Sequence, residues 1–378
     1  MRRLQNLPEN AFLRKPVGWA LPNVGLARRT SSGPCPSYAL TAFVLLLVVI
    51  SSTVASAQGI DRIRRLSGTE SGKILQISPL TVTISKGGVE NKVPVEEIRT
   101  IDFGGEPEDL RPARLTASAG RYQDALEHFE KIDRDGIERE AILQDLDYWK
   151  MVCHVQLALS GQGNLNRAAE EATSFLSKNR RSYHVPETIE LLGRALMAMN
   201  NGEAARIQFA KLEKAKSPYY TARSAILTGI SWQQQDNHPS AIKEFERALV
   251  ASQENQTAQT QQLEATLQMA VSLSATGSVA DATDSVKAII AKTDAANVKL
   301  LARAYNALGD CYVQSNNSKA ARNAFLHVDV LFSSEKNEHA RALYELSRLW
   351  GNLGQEARAK DARERLQKDY PTSRWAKK

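Results

Sequence analysis

The chain has 378 residues, of which 42% are hydrophobic and 24% are charged, and this composition excludes a wholly disordered protein. Its formal net charge is +7, but residues 1–57 contribute six basic residues and one acidic residue, so the remainder carries +2. This nearly neutral remainder excludes the broad basic surface that nucleic-acid binding requires.

The N-terminal residues follow the pattern of an export signal. No charged residue lies between Arg29 and Asp61, and this window contains an apolar run at 39–50 followed by Ala55-Ser56-Ala57. A basic region, a short apolar core and small residues at the cleavage point predict a signal peptide over 1–57, cut after Ala57, and a periplasmic protein. The alternative is an uncleaved inner-membrane anchor at 38–57, because about 20 residues span a bilayer.

Residues 58–105 read as a small β module. Residues 73–77 and 80–84 alternate apolar and polar side chains, and Ser78-Pro79 and Gly87-Gly88 mark turns. Further short runs at 92–95 and 98–103 end at Gly104-Gly105. Four or five antiparallel strands are predicted, resembling SH3-like or Sm-like modules in outline. We expect this module to dock on the helices that follow, because a sheet this small buries little surface alone.

From residue 106 onwards the pattern is helical and repeats. Three segments share one set of offsets, in which Gly is followed at +3, +12, +16 and +19 by a large or small apolar residue. These are Gly193, Leu196, Ala205, Phe209 and Leu212; Gly229, Trp232, Ala241, Phe245 and Ala248; and Gly309, Tyr312, Ala321, Phe325 and Val328. Weaker matches centre on Ala270, Ser347, Ala113 and Ala168, which predicts about seven helical hairpins over 106–378.

These offsets resemble the tetratricopeptide repeat (TPR), whose signature includes Leu-Gly-x-x-Tyr and Ala-x-x-x-Phe. The resemblance implies a mainly α chain in which stacked hairpins form an α-solenoid. Together with the export signal, it extends to TPR proteins of bacterial envelope machinery, with a distant likeness to the coordinator of the Tol–Pal system. That coordinator has an N-terminal coiled coil where this chain has a β module, so its partners are not carried over.

The sequence shows no pattern typical of an enzyme or a metal site. The six histidines lack H-x-x-x-H spacing, and no nucleophile elbow or phosphate-binding loop occurs. Cys153 and Cys311 are expected to be small buried residues, with a long-range disulfide as the alternative. We therefore predict no enzyme activity, no cofactor and no small-molecule substrate.

The TPR resemblance also places a binding surface. It implies that the first helix of each hairpin lines a concave groove. It also implies that the side chain six residues before the repeat Gly faces this groove. Arginine fills this position in three repeats and glutamate (Glu187 and Glu264) in two others. The predicted groove residues are Arg223, Arg303, Asn306, Arg341, Tyr344 and Arg348. Guanidinium groups suit carboxylates, so a protein or an acidic peptide is the expected partner, the alternative being solvated arginines without a partner.

The sequence thus predicts a non-catalytic scaffold or adaptor in the cell envelope. The alternatives are a membrane-anchored helper of envelope assembly or translocation, and an accessory subunit of an envelope enzyme. The membrane enters as a partner if the leader stays uncleaved, and nucleic acid is not expected.

Sequencing the N-terminus of the exported protein tests the leader assignment. Cleavage after Ala57 predicts that the mature chain begins at Gln58 and is released in the soluble fraction by osmotic shock. A membrane-integral protein that retains 38–57 would contradict cleavage.

Overall fold

The computed structural model describes residues 59–253 and 258–378, so the predicted signal peptide, its cleavage point and the alternative anchor lie outside the described residues. Within these two ranges no helix is long and apolar enough to cross a membrane. The strands are β1 (Asp61–Arg65), β2 (Thr69–Ile77), β3 (Thr81–Lys86), β4 (Val89–Pro94) and β5 (Ile98–Asp102). A 3₁₀ helix, Val95–Glu97, separates β4 from β5.

The described helices follow the strands and form seven successive hairpins, which confirms the predicted mainly α fold. They are α1 (Leu110–Ser118), α2 (Tyr122–Glu130), α3 (Glu140–Leu159), α4 (Leu165–Lys178), α5 (Val185–Ala198), α6 (Gly202–Phe209), α7 (Pro218–Gln233), α8 (His238–Ser252), α9 (Gln259–Ala275), α10 (Val279–Lys292), α11 (Val298–Gln314), α12 (Ser318–Leu331), α13 (Lys336–Asn352) and α14 (Glu356–Asp369). A 3₁₀ helix, Ala210–Ala215, extends α6.

The five strands form one antiparallel sheet in the order β4-β3-β2-β1-β5. Its inward side chains include Ile63, Val82, Val93 and Ile101, all fully buried. The register of β2 against β3 shifts after Ile74, and such a bulge bends a sheet and increases its twist. The sequence prediction missed β1 because its Asp-Arg-Ile-Arg-Arg sequence has a single apolar residue, Ile63.

The sheet packs directly on the first helices, with Phe103 and Leu110 in the same apolar core as Phe129. The start of β1 is held by Asp61, whose carboxylate accepts hydrogen bonds from the Gly104 amide at 2.8 Å and from Arg139 Nη1 at 2.7 Å. Arg139 precedes α3, so this contact ties β1 to the second hairpin.

A buried polar network lies beneath the sheet. The fully buried Asp145 carboxylate accepts hydrogen bonds from Arg114 Nη1 at 2.8 Å and Tyr183 Oη at 2.9 Å, and it lies 2.9 Å from His184 Nε2. Arg114 Nη2 also donates to Glu106 at 2.7 Å. Burial alone would raise the pKa of Asp145, but the hydrogen bond from His184 and the charge of Arg114 lower it. The paired charge is therefore retained inside the protein and joins α1, α3 and the segment before α5.

The turns within the hairpins share one backbone feature, a residue in the left-handed conformation. Each of the seven described hairpins has a turn residue with positive φ, namely Gly120, Gly161, Asn200, Asp236, Gly277, Asn316 and Gly354. In three of these turns an Asn follows and accepts a hydrogen bond from the backbone amide three residues on, as Asn201, Asn237 and Asn317 do. Gly, Asn and Asp tolerate the left-handed conformation, and Asn is a preferred N-cap, so these residues end one helix and start the next.

The repeat glycines lie where the two helices of a hairpin touch. A Cβ added to Gly193, Gly229 or Gly309 would overlap the ring of Phe209, Phe245 or Phe325 respectively. Each of these phenylalanines is fully buried. The Gly-to-Phe offset of 16 residues therefore reflects a contact within one hairpin, between the middle of its first helix and the second helix.

Two helical glycines give a matched stability test. Gly309→Ala forces a methyl group against Phe325, and overpacking of this kind costs about 1–3 kcal/mol. Nothing lies within 4 Å of a Cβ added to Gly351 in α13, so Gly351→Ala should leave stability unchanged or raise it by about 0.5–1 kcal/mol, since Ala favours a helix over Gly. Urea unfolding of both variants measures this. Equal stabilities would contradict the packing described for Gly309.

Candidate functional site: the inner face of the repeat array

The first helices of successive hairpins form a continuous face. Helix α9 contacts both α7 and α11, and α11 contacts α13, whereas contacts between second helices are fewer in the described part of the chain. Closer packing of the first helices makes their side the inner, concave one. We call the surface formed by α5, α7, α9, α11 and α13 the inner face.

Arg223 lies at the centre of an ion-pair ladder that crosses the inner face. Its Nε donates to Glu190 Oε2 on α5 at 2.8 Å, and its Nη1 donates to Glu264 Oε2 on α9 at 3.0 Å. Arg303 on α11 continues the ladder, since it lies 3.6 Å from both Glu264 and Glu338. Five consecutive first helices are thus linked by alternating charges.

The C-terminal end of the ladder uses the remaining predicted groove residues. Arg341 on α13 pairs with Asp310 on α11, and Arg348 lies 3.5 Å from Glu345. The fully buried Asn306 donates from Nδ2 to the backbone oxygen of Glu338 at 3.1 Å and to its carboxylate at 2.8 Å. Arg341 and Asn306 therefore hold α11 and α13 together, whereas Arg348 and Glu345 pair within α13.

The predicted arginines are thus brought onto one face, but each meets carboxylates of this same chain. Five guanidinium groups face five carboxylates along the ladder: Arg194, Arg223, Arg303, Arg341 and Arg348 with Glu190, Glu264, Asp310, Glu338 and Glu345. Arg223 exposes 16% of its side chain and Arg341 25%, whereas Arg348 exposes 60%. The inner face is therefore close to neutral.

Burial and pairing act against each other on these carboxylates. Burial alone would raise the pKa of Glu190, but attraction to Arg223 and Arg194 outweighs it and sets the pKa of Glu190 at about 2. For Asp310 burial is the larger effect, and it raises the pKa of Asp310 in spite of Arg341. Glu190, near the N-terminal end of the ladder, is therefore the stronger acid of the two.

A concave depression of about 260 Å³ opens on the inner face between α9, α11 and α13. Its lining combines apolar and charged side chains, a mixture suited to holding a peptide. Its lining comprises His238, Val271, Ala275, Asp310, Val313, Gln314, Arg341, Glu345 and Arg348. Tyr344, the last predicted groove residue, packs beside it against Trp375, with ring centroids 5.4 Å apart.

The possible metal ligands and the thiols of the described residues form no second site. Among the described residues no group of three or more His, Cys, Asp or Glu could hold a metal ion. Cys153 and Cys311 are buried and unbonded, as expected from the sequence, and burial raises the pKa of Cys153 to about 12. A thiol of that pKa is a poor nucleophile at neutral pH.

Comparison with known proteins supports the fold. No protein-family model matches the chain, and no curated protein matches it. A Rap protein solved in complex with Competence and Sporulation Factor is similar, with a TM-score of 0.51, 14% identity and coverage of 71% of this chain and 76% of that one. A tetratricopeptide repeat protein from Parabacteroides merdae gives a TM-score of 0.48 at 15% identity, over 69% of this chain and 91% of that one.

The architecture is therefore that of a TPR-like helical-repeat protein preceded by a small five-stranded sheet. At this level of identity the likeness concerns the fold. The distant likeness to the Tol–Pal coordinator is not confirmed by these comparisons.

Acidification tests the ladder. A carboxyl group whose pKa is lowered in the folded state stabilises the fold above its unfolded pKa, about 4.3, and loses that contribution as the pH falls towards 2. Glu190→Gln should therefore lower stability at pH 7 and flatten the loss of stability between about pH 4.5 and 2. Glu364→Gln, which changes an exposed glutamate, is the matched control. Identical pH profiles for wild type and Glu190→Gln would show that Glu190 is not held by the arginines.

Proposed function

We propose that the protein is a non-catalytic scaffold that binds a polypeptide partner along the inner face. The observation that carries this proposal is the depression between α9, α11 and α13, where the apolar Val271, Ala275 and Val313 lie among charged side chains. A groove of this kind buries one side of a peptide while its rim fixes the orientation.

The similar Rap protein was solved with a bound factor, so the fold that both chains share can hold a ligand. The binding of a partner by this chain is our proposal. It is supported by the partly exposed apolar side chains of the depression, such as Val313, and by the row of first helices that forms the inner face.

An acidic partner, expected from the arginines, remains a prediction. The ion pairs of the ladder change the free energy with which such a partner would bind. A carboxylate from a partner would have to displace Asp310 from Arg341 or Glu264 from Arg223, and the displaced acid would remain half-buried. Such an exchange gains little, because one ion pair replaces another. We therefore infer that contacts with the depression contribute more affinity than the arginines of the ladder.

We further propose that this scaffold acts outside the cytoplasm, in the bacterial cell envelope. The support is the leader pattern of residues 1–57, in which a basic region, an apolar core and Ala55-Ser56-Ala57 follow in order. Osmotic release together with a cytoplasmic marker tests the location. Recovery of the protein with the cytoplasmic marker would contradict it.

Two exposed valines allow a matched test of the binding surface. Val313 exposes 38% of its surface and lines the depression, whereas Val330 on α12 exposes 70% and lies on a second helix. Val313→Arg should reduce capture of partners from crosslinked cells at least about tenfold, because a long charged side chain fills the depression, and it should leave the melting temperature nearly unchanged. Val330→Arg should capture partners like wild type.

Quantitative mass spectrometry of the crosslinked complexes measures both variants in parallel. Equal capture by Val313→Arg and wild type, with both folded by circular dichroism, would contradict binding at the depression. Loss of the same partners in Val330→Arg alone would move the binding surface to the outer helices.

A further inference from the structure

The segment that follows α14 turns back onto the inner face. Tyr370 anchors its start, with its hydroxyl 2.7 Å from His339 Nδ1 on α13. Residues 371–377 then form successive turns, and the half-buried Trp375 packs on Tyr344 of α13, with ring centroids 5.4 Å apart. Trp375 also lies beneath the guanidinium of Arg341, whose Cζ is 5.6 Å from the ring centroid.

Basic side chains of the segment surround this aromatic contact. Lys378 Nζ lies 4.6 Å from the centroid of the Trp375 ring and 5.7 Å from that of Tyr344. Arg374 also lies over Trp375, with its Cζ 4.6 Å from the ring centroid. Cations within about 6 Å of an aromatic face are attracted to it, so these contacts stabilise the folded-back segment.

Charged side chains of α13 lie near these cations. Burial and the charge of Arg341 lower the pKa of Arg374, and the attraction of Glu338 opposes this only in part. Lys378 attracts the carboxylate of Glu345, whose side chain exposes only 16%. Glu345 and Arg341 also line the depression described above. The segment therefore borders the candidate groove and places the Lys378 cation over the Tyr344 ring of α13.

The segment also reaches the second hairpin. At Gly161, in the turn between α3 and α4, an added Cβ would lie 3.1 Å from the Thr372 carbonyl oxygen and would overlap the Lys377 ammonium. Residues 371–378 thus contact both hairpin two and hairpin seven. The segment therefore bridges the second hairpin and the seventh.

We propose that residues 371–378 are an intramolecular ligand of the inner face, and that the partner recognised at this end is a basic peptide with an aromatic side chain that displaces them. The proposal rests on the proposed function and specifies its partner. The contact of Trp375 with Tyr344, the Lys378 cation over the Tyr344 ring, and the contact of Trp375 with Arg341, which lines the depression, are the observations that carry it. The acidic peptide expected from the sequence is the opposite outcome of the same test.

A fluorescein-labelled peptide of sequence Pro-Thr-Ser-Arg-Trp-Ala-Lys-Lys, matching residues 371–378, is the probe. Fluorescence anisotropy compares its binding to the full chain, to the chain ended after Tyr370, and to full-length Trp375→Ala, which keeps the backbone and loses the anchor. A site that is filled in cis about 90% of the time binds an added ligand about tenfold more weakly, so both altered chains should bind the peptide about tenfold more tightly than the intact chain.

Further protein variants and altered peptides identify the binding site and the chemistry that it recognises. Adding Tyr344→Ala or Glu345→Gln to the chain ended after Tyr370 should weaken peptide binding, and Val330→Arg should not. A peptide with Ala in place of Trp, and one with Glu in place of each basic residue, should bind at least about tenfold more weakly. Circular dichroism checks that each chain is folded, and if the shortened chain unfolds, Trp375→Ala carries the test.

Equal binding of the peptide to intact and altered chains, or tighter binding of the Glu-substituted peptide, would overturn the proposal. The outcomes also separate it from the proposed function. Partner capture that depends on Val313 but is unchanged when residues 371–378 are removed leaves the scaffold standing and rejects the intramolecular ligand. If instead the peptide binds as expected but partner capture does not depend on Val313, the intramolecular ligand stands and the scaffold binding at the depression is rejected.

Discussion

The closest contact between two helices of a hairpin governs this structure. A phenylalanine ring of the second helix lies on a glycine of the first, as Phe325 does on Gly309, and a side chain at the glycine would push the helices apart. A pair of helices packed so closely still leaves one apolar side uncovered, and the next hairpin covers it. Three of the seven described hairpins carry this glycine–phenylalanine contact, and the stacking of all seven builds the inner face.

Charge on the inner face follows a second rule. Because successive first helices lie close together, an arginine on one helix meets the acids of the helices on either side, as Arg223 meets Glu190 and Glu264. Breaking such a pair leaves a half-buried charge without a partner, so the ladder opposes slippage between hairpins. It also leaves these charges paired, so the apolar side chains of the depression and the Tyr344 ring are the distinctive features available to a ligand.

At the N-terminal end the five-stranded sheet replaces a further hairpin. Its apolar side shares one core with α1 to α3, and the buried Asp145 and Arg114 satisfy each other beneath it. At the other end residues 371–378 fold back against α13 and reach Gly161. Both ends of the array are therefore covered by segments of the chain that are not repeats.

Sequence reasoning found the features that depend on local spacing. The three Gly-to-Phe offsets located the tightest hairpins, and alternation located most of the sheet. The left-handed turn residues Asn200, Asp236 and Asn316 were missed, although each lies seven positions after the repeat glycine. The pairing of Arg223 and Arg341 with acids was missed because those acids lie 31 to 41 residues away along the chain. The contact of Trp375 with Tyr344 was missed for the same reason, since only the folded stack brings them together.

Hydrogen exchange of the protein with and without a captured partner tests the central claim most directly, because it maps the bound surface on every helix at once. If the inner face binds the partner, amide protection should rise in α9, α11 and α13 and stay unchanged in α8, α10 and α12. Protection confined to those second helices, or to the sheet, would contradict the account.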